Sequence, residues 1–248
     1  MQRILVTAAS SDLAKALVRI AAQQQRSQVL TVSRSTFVVP ASQYAAHHHM
    51  NGIDLLQEDA LSDLACTAAS FFDGPFSIIH FAGDYWTHKP LIHTELSEIR
   101  RMMESHYLTL CGVAKYLAPV MIEKGGGRLV AFSCNSVVYN YPDLSPFTSA
   151  KAAIESFVRS FANEYAEVGL SATAIALPTM RTEKVLAEKT RGDHENYISP
   201  DELARILLEQ TLKQDLYITG NITRLVKYSD SFYHKSYFLR NPREKTIP

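Results

Sequence analysis

Three groups of side chains in this sequence could do chemistry. The first lies in "ILVTAASSDLAKAL", Ile4 to Leu17, where a short apolar run passes straight into a helical pattern. A strand that turns into a helix offers unpaired backbone N–H groups and a positive dipole end, which suits a phosphate. Such a turn normally carries glycines, and this one has none. It has Thr7, Ala8, Ser10 and Asp12, with Asp12 in the first helical turn and Ser10 or Ser11 as the N-cap. A helix start that supplies its own negative charge is expected, at a gain of roughly 0.5–2 kcal/mol. The second group is "FTSAK". Phe147 and Lys151 are four residues apart and share a helix face, so an ammonium lies beside a ring with no proton to give. The third is Cys134. A thiol beside an imidazole becomes an activated thiolate, whereas a thiol buried alone is a small core residue.

Short apolar runs must position these groups. Candidate strands are Ile4–Thr7, Val29–Ser33, a weak one at Met50–Ile53, Phe76–Phe81, Arg128–Ser133, Ser171–Ala176 and Ile222–Tyr228. Helical patterns lie between them at Asp12–Ala22, Leu61–Phe72, Leu96–Met121, Ser149–Val168 and Pro200–Leu212. Strands alternating with helices imply right-handed crossovers and a parallel sheet covered on both faces. The expected fold is therefore α/β, a single-domain, Rossmann-like, doubly wound parallel sheet over residues 1–228. Residues 229–248 follow as a C-terminal extension that packs on the pocket or on a neighbouring subunit. A pocket is expected beyond the carboxyl ends of the strands. Its loops supply Tyr85, Trp86 and His88, then Asn135, Tyr139 and Tyr141, with Arg181 and Lys184 from a lid. Such a wall suits a small aromatic or anionic ligand.

Bulk properties narrow the function. The chain has 248 residues, 46% hydrophobic and 20% charged, with a formal net charge of zero. Nothing there argues for nucleic acid or an anionic membrane surface. No apolar run reaches membrane-spanning length, and the start shows no secretory leader, so a cytoplasmic location is expected. The three cysteines, Cys66, Cys111 and Cys134, are too few and too widely spaced for a disulfide framework. The run His47–His49 lacks the spaced ligands of a zinc site, so a solvated segment and no metal are expected.

Several strings resemble the short-chain dehydrogenase/reductase family, from Gln2 to about Tyr228. They are "GGRLVAFSCNSVVYNYPDLSPFTSAKAAIESFVRSFANEYA", "TAIALPTMRTEKV" and "HFAG" at His80–Gly83. The resemblance implies roles for particular positions. The glycines of the family's dinucleotide loop fall on Ala8, Asp12 and Ala14. The catalytic Tyr falls on Phe147 and its Lys on Lys151. The carbonyl-polarising Ser falls on Cys134, or on Ser133 if the loop is one residue different. The relay Asn falls on His106. Cofactor-side positions are Thr7, Ser10, Arg34, Asp54, Leu55, Ala82, Gly83, Lys151 and Thr182. Glycines in the loop allow a tight turn and close approach of the backbone to a diphosphate, and Asp12 sets a carboxylate there instead. No acidic residue ends the second strand, so a bound dinucleotide would be NADP rather than NAD.

Loss of the loop and of three catalytic positions together implies a relative that lacks conventional NAD(P)-dependent oxidoreductase activity. It would bind no cofactor and serve a binding, partner or repurposed role. The alternative is an NADP(H)-dependent carbonyl reductase with a non-standard proton donor such as water, Lys151 or a loop tyrosine. By the same resemblance the chain is expected to form a homodimer or homotetramer through its two long helices.

Overall fold

A computed structural model describes residues 2–23, 27–35, 46–83, 85–188, 194–212 and 218–226. The chain opens with β1 (Gln2–Thr7), α1 (Asp12–Ala22), β2 (Ser27–Ser33) and β3 (Ala46–Asn51). It continues through α2 (Glu58–Phe71), β4 (Phe76–His80), α3 (Leu96–Met103), α4 (Thr109–Glu123) and β5 (Gly127–Cys134). Then come α5 (Ser136–Tyr139), α6 (Ser145–Glu164), β6 (Leu170–Leu177), α7 (Glu183–Glu188), α8 (Pro200–Ile206) and β7 (Asn221–Arg224). The seven strands form one sheet in the order β3-β2-β1-β4-β5-β6-β7, and every pairing is parallel. This is the doubly wound arrangement expected from the alternating pattern.

Alternation along each strand splits the core in two. Ile4, Val6, Val29, Ile79, Val130 and Ile175 face α1 and α8. Leu5, Leu30, Ile78, Leu129 and Ala174 face α2, α4 and α6. Both faces are buried, so the central strands read as continuous apolar runs. The chain order reverses between β1 and β4, and the loops after these strands open the crevice that holds the site.

Several boundaries differ from the sequence expectation. One helix was expected over Leu96–Met121, but a π-helical turn at Glu104–Leu108 separates α3 from α4. The wider turn rotates the helix face, and His106 lies within it, buried. Helix α6 begins at Ser145 with Pro146 in its first turn, which places Phe147 inside the helix. Helix α8 ends at Ile206 and passes into a second π-helical turn, Leu207–Thr211. The weak third strand lies at Ala46–Asn51 rather than Met50–Ile53, and it contains the histidine run. That run is therefore not a solvated segment. It pairs with Gln28–Ser33, and His47 and His49 are half-buried while His48 is exposed. The extension at 229–248 lies outside the described residues. Among the described residues no helix is long and apolar enough to cross a membrane.

Candidate active site

The turn after β1 has the shape of a phosphate loop without its glycines. Ala8 sits at φ +50°, in the left-handed region that favours glycine. Ala9 N–H donates to Val32 O at 2.9 Å and Ser11 N–H donates to Ala8 O at 2.9 Å, which holds the turn tight. Holding an alanine there costs about 1–2 kcal/mol. Ser11, not Ser10, is the N-cap, and its Oγ accepts the Ala14 N–H at 3.3 Å. Ala14 lies on the buried face of α1 and is fully buried.

Asp12 does not simply cap its own helix. Its Oδ2 accepts the N–H of Glu183, the first residue of α7, at 3.1 Å. The carboxylate thus joins the first turn of α1 to the helix that follows β6. Thr182 caps the same helix, its Oγ1 accepting the Val185 N–H at 3.3 Å. Beside this tie opens a cleft of about 340 Å³, lined by Asp12, Lys15, Arg19, Arg181, Glu183 and Asp201 among others. Arg181, expected on the aromatic wall, lines this mixed-charge cleft.

His80 anchors the loop from below. It is fully buried between two hydroxyls, with Nδ1 3.2 Å from Thr7 Oγ1 and Nε2 3.3 Å from Thr109 Oγ1. Thr109 Oγ1 donates to Ser105 O at 2.9 Å. It therefore accepts from His80 Nε2–H, and His80 Nδ1 accepts from Thr7. Burial, and then the positive charge of Lys151, push His80 down to about 3, so it is neutral. The ring connects β1, β4 and the start of α4. Its role was not foreseen, because its partners lie 73 and 29 residues away in sequence.

Above His80 lies the cluster to which the resemblance assigned the catalytic positions. His106 Nε2–H donates to Tyr85 O at 2.8 Å, and its ring meets Phe147 edge-on at 5.3 Å. Its Nδ1 is buried without a hydrogen-bond partner. Burial first, then Lys151, push His106 down to about 2. A Cβ placed on Gly83, which has φ +122°, would stand 2.1 Å from His106 Nδ1, so only glycine fits there. Trp86 closes the other side of Phe147 at 6.3 Å.

Lys151 is buried, and its Nζ donates to Phe132 O at 2.9 Å. It stands 5.7 Å from the centre of the Phe147 ring. Burial lowers its pKa to about 8, against a smaller opposing pull from Cys134. The two side chains at the end of β5 point in different directions. Ser133 Oγ donates to Glu155 Oε1 at 2.7 Å, behind the strand. Cys134 is partly exposed and its Sγ accepts the Ser136 N–H at 3.4 Å. Glu155 is held in turn by Arg224 Nη2, at 3.0 and 3.1 Å to its two oxygens. This ion pair, buried on the Glu155 side and half-buried at Arg224, fastens α6 to β7, and it too escaped the sequence reading. Tyr139 and Tyr141 meet edge-on at 5.8 Å, and burial raises the Tyr141 phenol to about 12.

The remaining cofactor-side positions are used locally. Asp54 Oδ1 accepts the Leu56 N–H at 3.1 Å, Leu55 is buried in the core, and Ala82 packs against that core. Arg34 is exposed just beyond β2. The structure thus brings Gly83, His106, Phe147, Lys151 and Cys134 to one end of the sheet, and it engages Asp12 elsewhere. Phe147 transfers no proton, so Lys151 is the group beside that ring able to exchange one near neutral pH.

A dinucleotide finds its loop shape here but not its charge. The Ala8 turn is kept, yet the anionic Asp12 sits in the first turn of α1, where a diphosphate would be drawn. Among the described residues no group of three or more His, Cys, Asp or Glu side chains could hold a metal ion.

Comparison with known proteins agrees with this architecture. The short chain dehydrogenase family model matches residues 2–192. A fatty acyl-CoA reductase from Acinetobacter baylyi is 26% identical over 128 residues, covering 52% of this chain and 43% of the relative. A short-chain type dehydrogenase/reductase of uncharacterized function from Sinorhizobium fredii is 25% identical over 230 residues, 88% of this chain and 42% of the relative. The chain thus spans about half the length of the curated relatives it matches. Among solved structures, a short-chain type dehydrogenase/reductase from Mycobacterium ulcerans superposes with TM-score 0.79 at 17% identity, covering 99% of this chain and 98% of that one. A tyrosine-to-phenylalanine variant of ElxO with NADPH bound superposes with TM-score 0.80 at 17% identity, covering 90% and 96%. With residues 2–192 matched by the family model, the chain belongs to the short-chain dehydrogenase/reductase family.

Proposed function

We propose that this protein keeps its family's scaffold without the tyrosine-driven hydride transfer, and acts as a binding or partner subunit. The supporting observation is Phe147. The ring stands where the resemblance places the proton donor, packed between His106 and Trp86, with the Lys151 ammonium engaged by Phe132 O. General acid–base assistance is typically worth 10²–10⁴-fold, and a benzyl ring supplies none. Asp12 supports the same reading from the cofactor side. The paired rings Trp86–Phe147 and Tyr139–Tyr141, with the Lys151 ammonium 5.7 Å from the Phe147 ring centre, support a flat or anionic ligand. A homodimer or homotetramer belongs to this proposal and is tested by light scattering. The main test is titration with NADPH and NADH, followed by fluorescence and thermal shift, then turnover of activated carbonyls. Micromolar binding together with hydride transfer would overturn it.

A second reading is supported by separate observations. The left-handed turn at Ala8 is kept, and a neighbouring structure holds NADPH in a tyrosine-to-phenylalanine variant. NADPH would then be gripped by the Thr7–Ala14 loop and supply hydride to an activated carbonyl, with Lys151 holding the proton. A proton donor with a pKa of about 8 is active when protonated, so the rate would fall above that pH. Transfer of labelled hydride from NADPH to product separates this reading from the first.

A further inference from the structure

Strand β3 carries a site that the candidate active site does not use. Side chains alternate along a strand, so His47 and His49 share one face and His48 takes the other. His48 leans toward Phe71, with ring centres 6.2 Å apart. The other two rings converge on a single atom of the neighbouring strand. His47 Nε2 is 3.0 Å from Thr31 Oγ1, and His49 Nδ1 is 2.7 Å from the same oxygen. On the far side of its ring, His49 Nε2 is 2.9 Å from Asn51 Oδ1. An amide oxygen only accepts, so His49 Nε2 carries the proton and its Nδ1 presents a lone pair toward Thr31.

We propose that His47 and His49 on β3 form a chelating pair for a late first-row divalent cation such as Zn²⁺ or Cu²⁺. Imidazole suits these ions, which take ring nitrogens at about 2.0–2.1 Å. Both nitrogens already reach one point, so small ring rotations place an ion between them. His47 must move its proton to Nδ1, an ordinary change of tautomer. Asn51 is the outer-shell partner that fixes the His49 ring, as metal-bound histidines usually require. Thr31 Oγ1 and water complete the coordination, since no third His, Cys, Asp or Glu converges there among the described residues.

The test uses the full chain free of any histidine tag. Zn²⁺ and Cu²⁺ are titrated by calorimetry into the wild type and into His47→Ala, His49→Ala and His48→Ala. The expected result is one ion per chain, with about tenfold or greater weakening for His47→Ala and for His49→Ala, and none for His48→Ala. Electron paramagnetic resonance of the wild type with one equivalent of Cu²⁺ is expected to show coupling to two nitrogens, and this holds even if a variant folds poorly. No binding by the wild type, equal weakening by all three substitutions, or coupling to one nitrogen would overturn the proposal.

Discussion

Replacing Asp12 is the most direct probe of whether the turn after β1 opposes a dinucleotide. The carboxylate does two things: it places a negative charge at the start of α1, and it accepts the Glu183 N–H at 3.1 Å. Asp12→Asn removes the charge and keeps an acceptor oxygen, whereas Asp12→Ala removes both. Two unit charges about 4 Å apart repel by about 4 kcal/mol at an effective dielectric near 20, and by about 1 kcal/mol in water. Asp12 is half-buried, so a repulsion of about 1–2 kcal/mol against a diphosphate is reasonable. At 1.4 kcal/mol per decade, Asp12→Asn should tighten NADPH binding by about 5–30-fold. Asp12→Ala should gain as much or more, because α7 is then released as well. NADPH fluorescence enhancement or calorimetry reads both variants. If Asp12→Asn binds NADPH no better than the wild type, the carboxylate is not what opposes the cofactor. If only Asp12→Ala gains, the tie to α7 is the obstacle rather than the charge.

Other substitutions test the supporting structure. Gly83→Ala brings a methyl group to 2.1 Å from His106 Nδ1 at a positive φ, so chemical denaturation should show a loss of about 2–4 kcal/mol. Adding His106→Ala to Gly83→Ala should recover part of that loss. Glu155→Ala leaves Arg224 without its carboxylate and Ser133 without its acceptor, and a loss of about 2–4 kcal/mol is expected. Ala8→Gly relieves a left-handed alanine but loosens the unfolded chain, for a net gain of up to about 1 kcal/mol in urea unfolding. His80 and His106 have pKa values lowered from 6.5 to about 3 and about 2. Below pH 6.5 the unfolded state binds protons that the folded state refuses. Stability should therefore fall as the pH drops from 6.5 toward 4, by about 1.4 kcal/mol per unit for each histidine. His106→Asn should make that acid slope shallower.

Element order and layering were already visible in the linear pattern, for a local reason. Apolar runs of strand length alternate with helical periodicity, and covering both faces of a parallel sheet is the arrangement that buries them. The spacing of Phe147 and Lys151 likewise depends only on helical pitch. The third strand was less legible, because "AHHHMN" carries no apolar alternation, and its edge position allows polar residues that only its partner Gln28–Ser33 reveals. The break at Glu104–Leu108 was hidden too, since one inserted helical residue leaves no mark in composition. Within the site, residue types came from the chain and directions came from the fold. Ser133 and Cys134 are adjacent, yet one turns back to Glu155 while the other stays partly exposed. Asp12 reads as an ordinary helix cap until the fold brings Glu183, 171 residues away, to its carboxylate. Local interactions are encoded within a few residues. The partners of Asp12, His80 and Glu155 are decided by packing across the whole sheet, and that is why only the tertiary structure could name them.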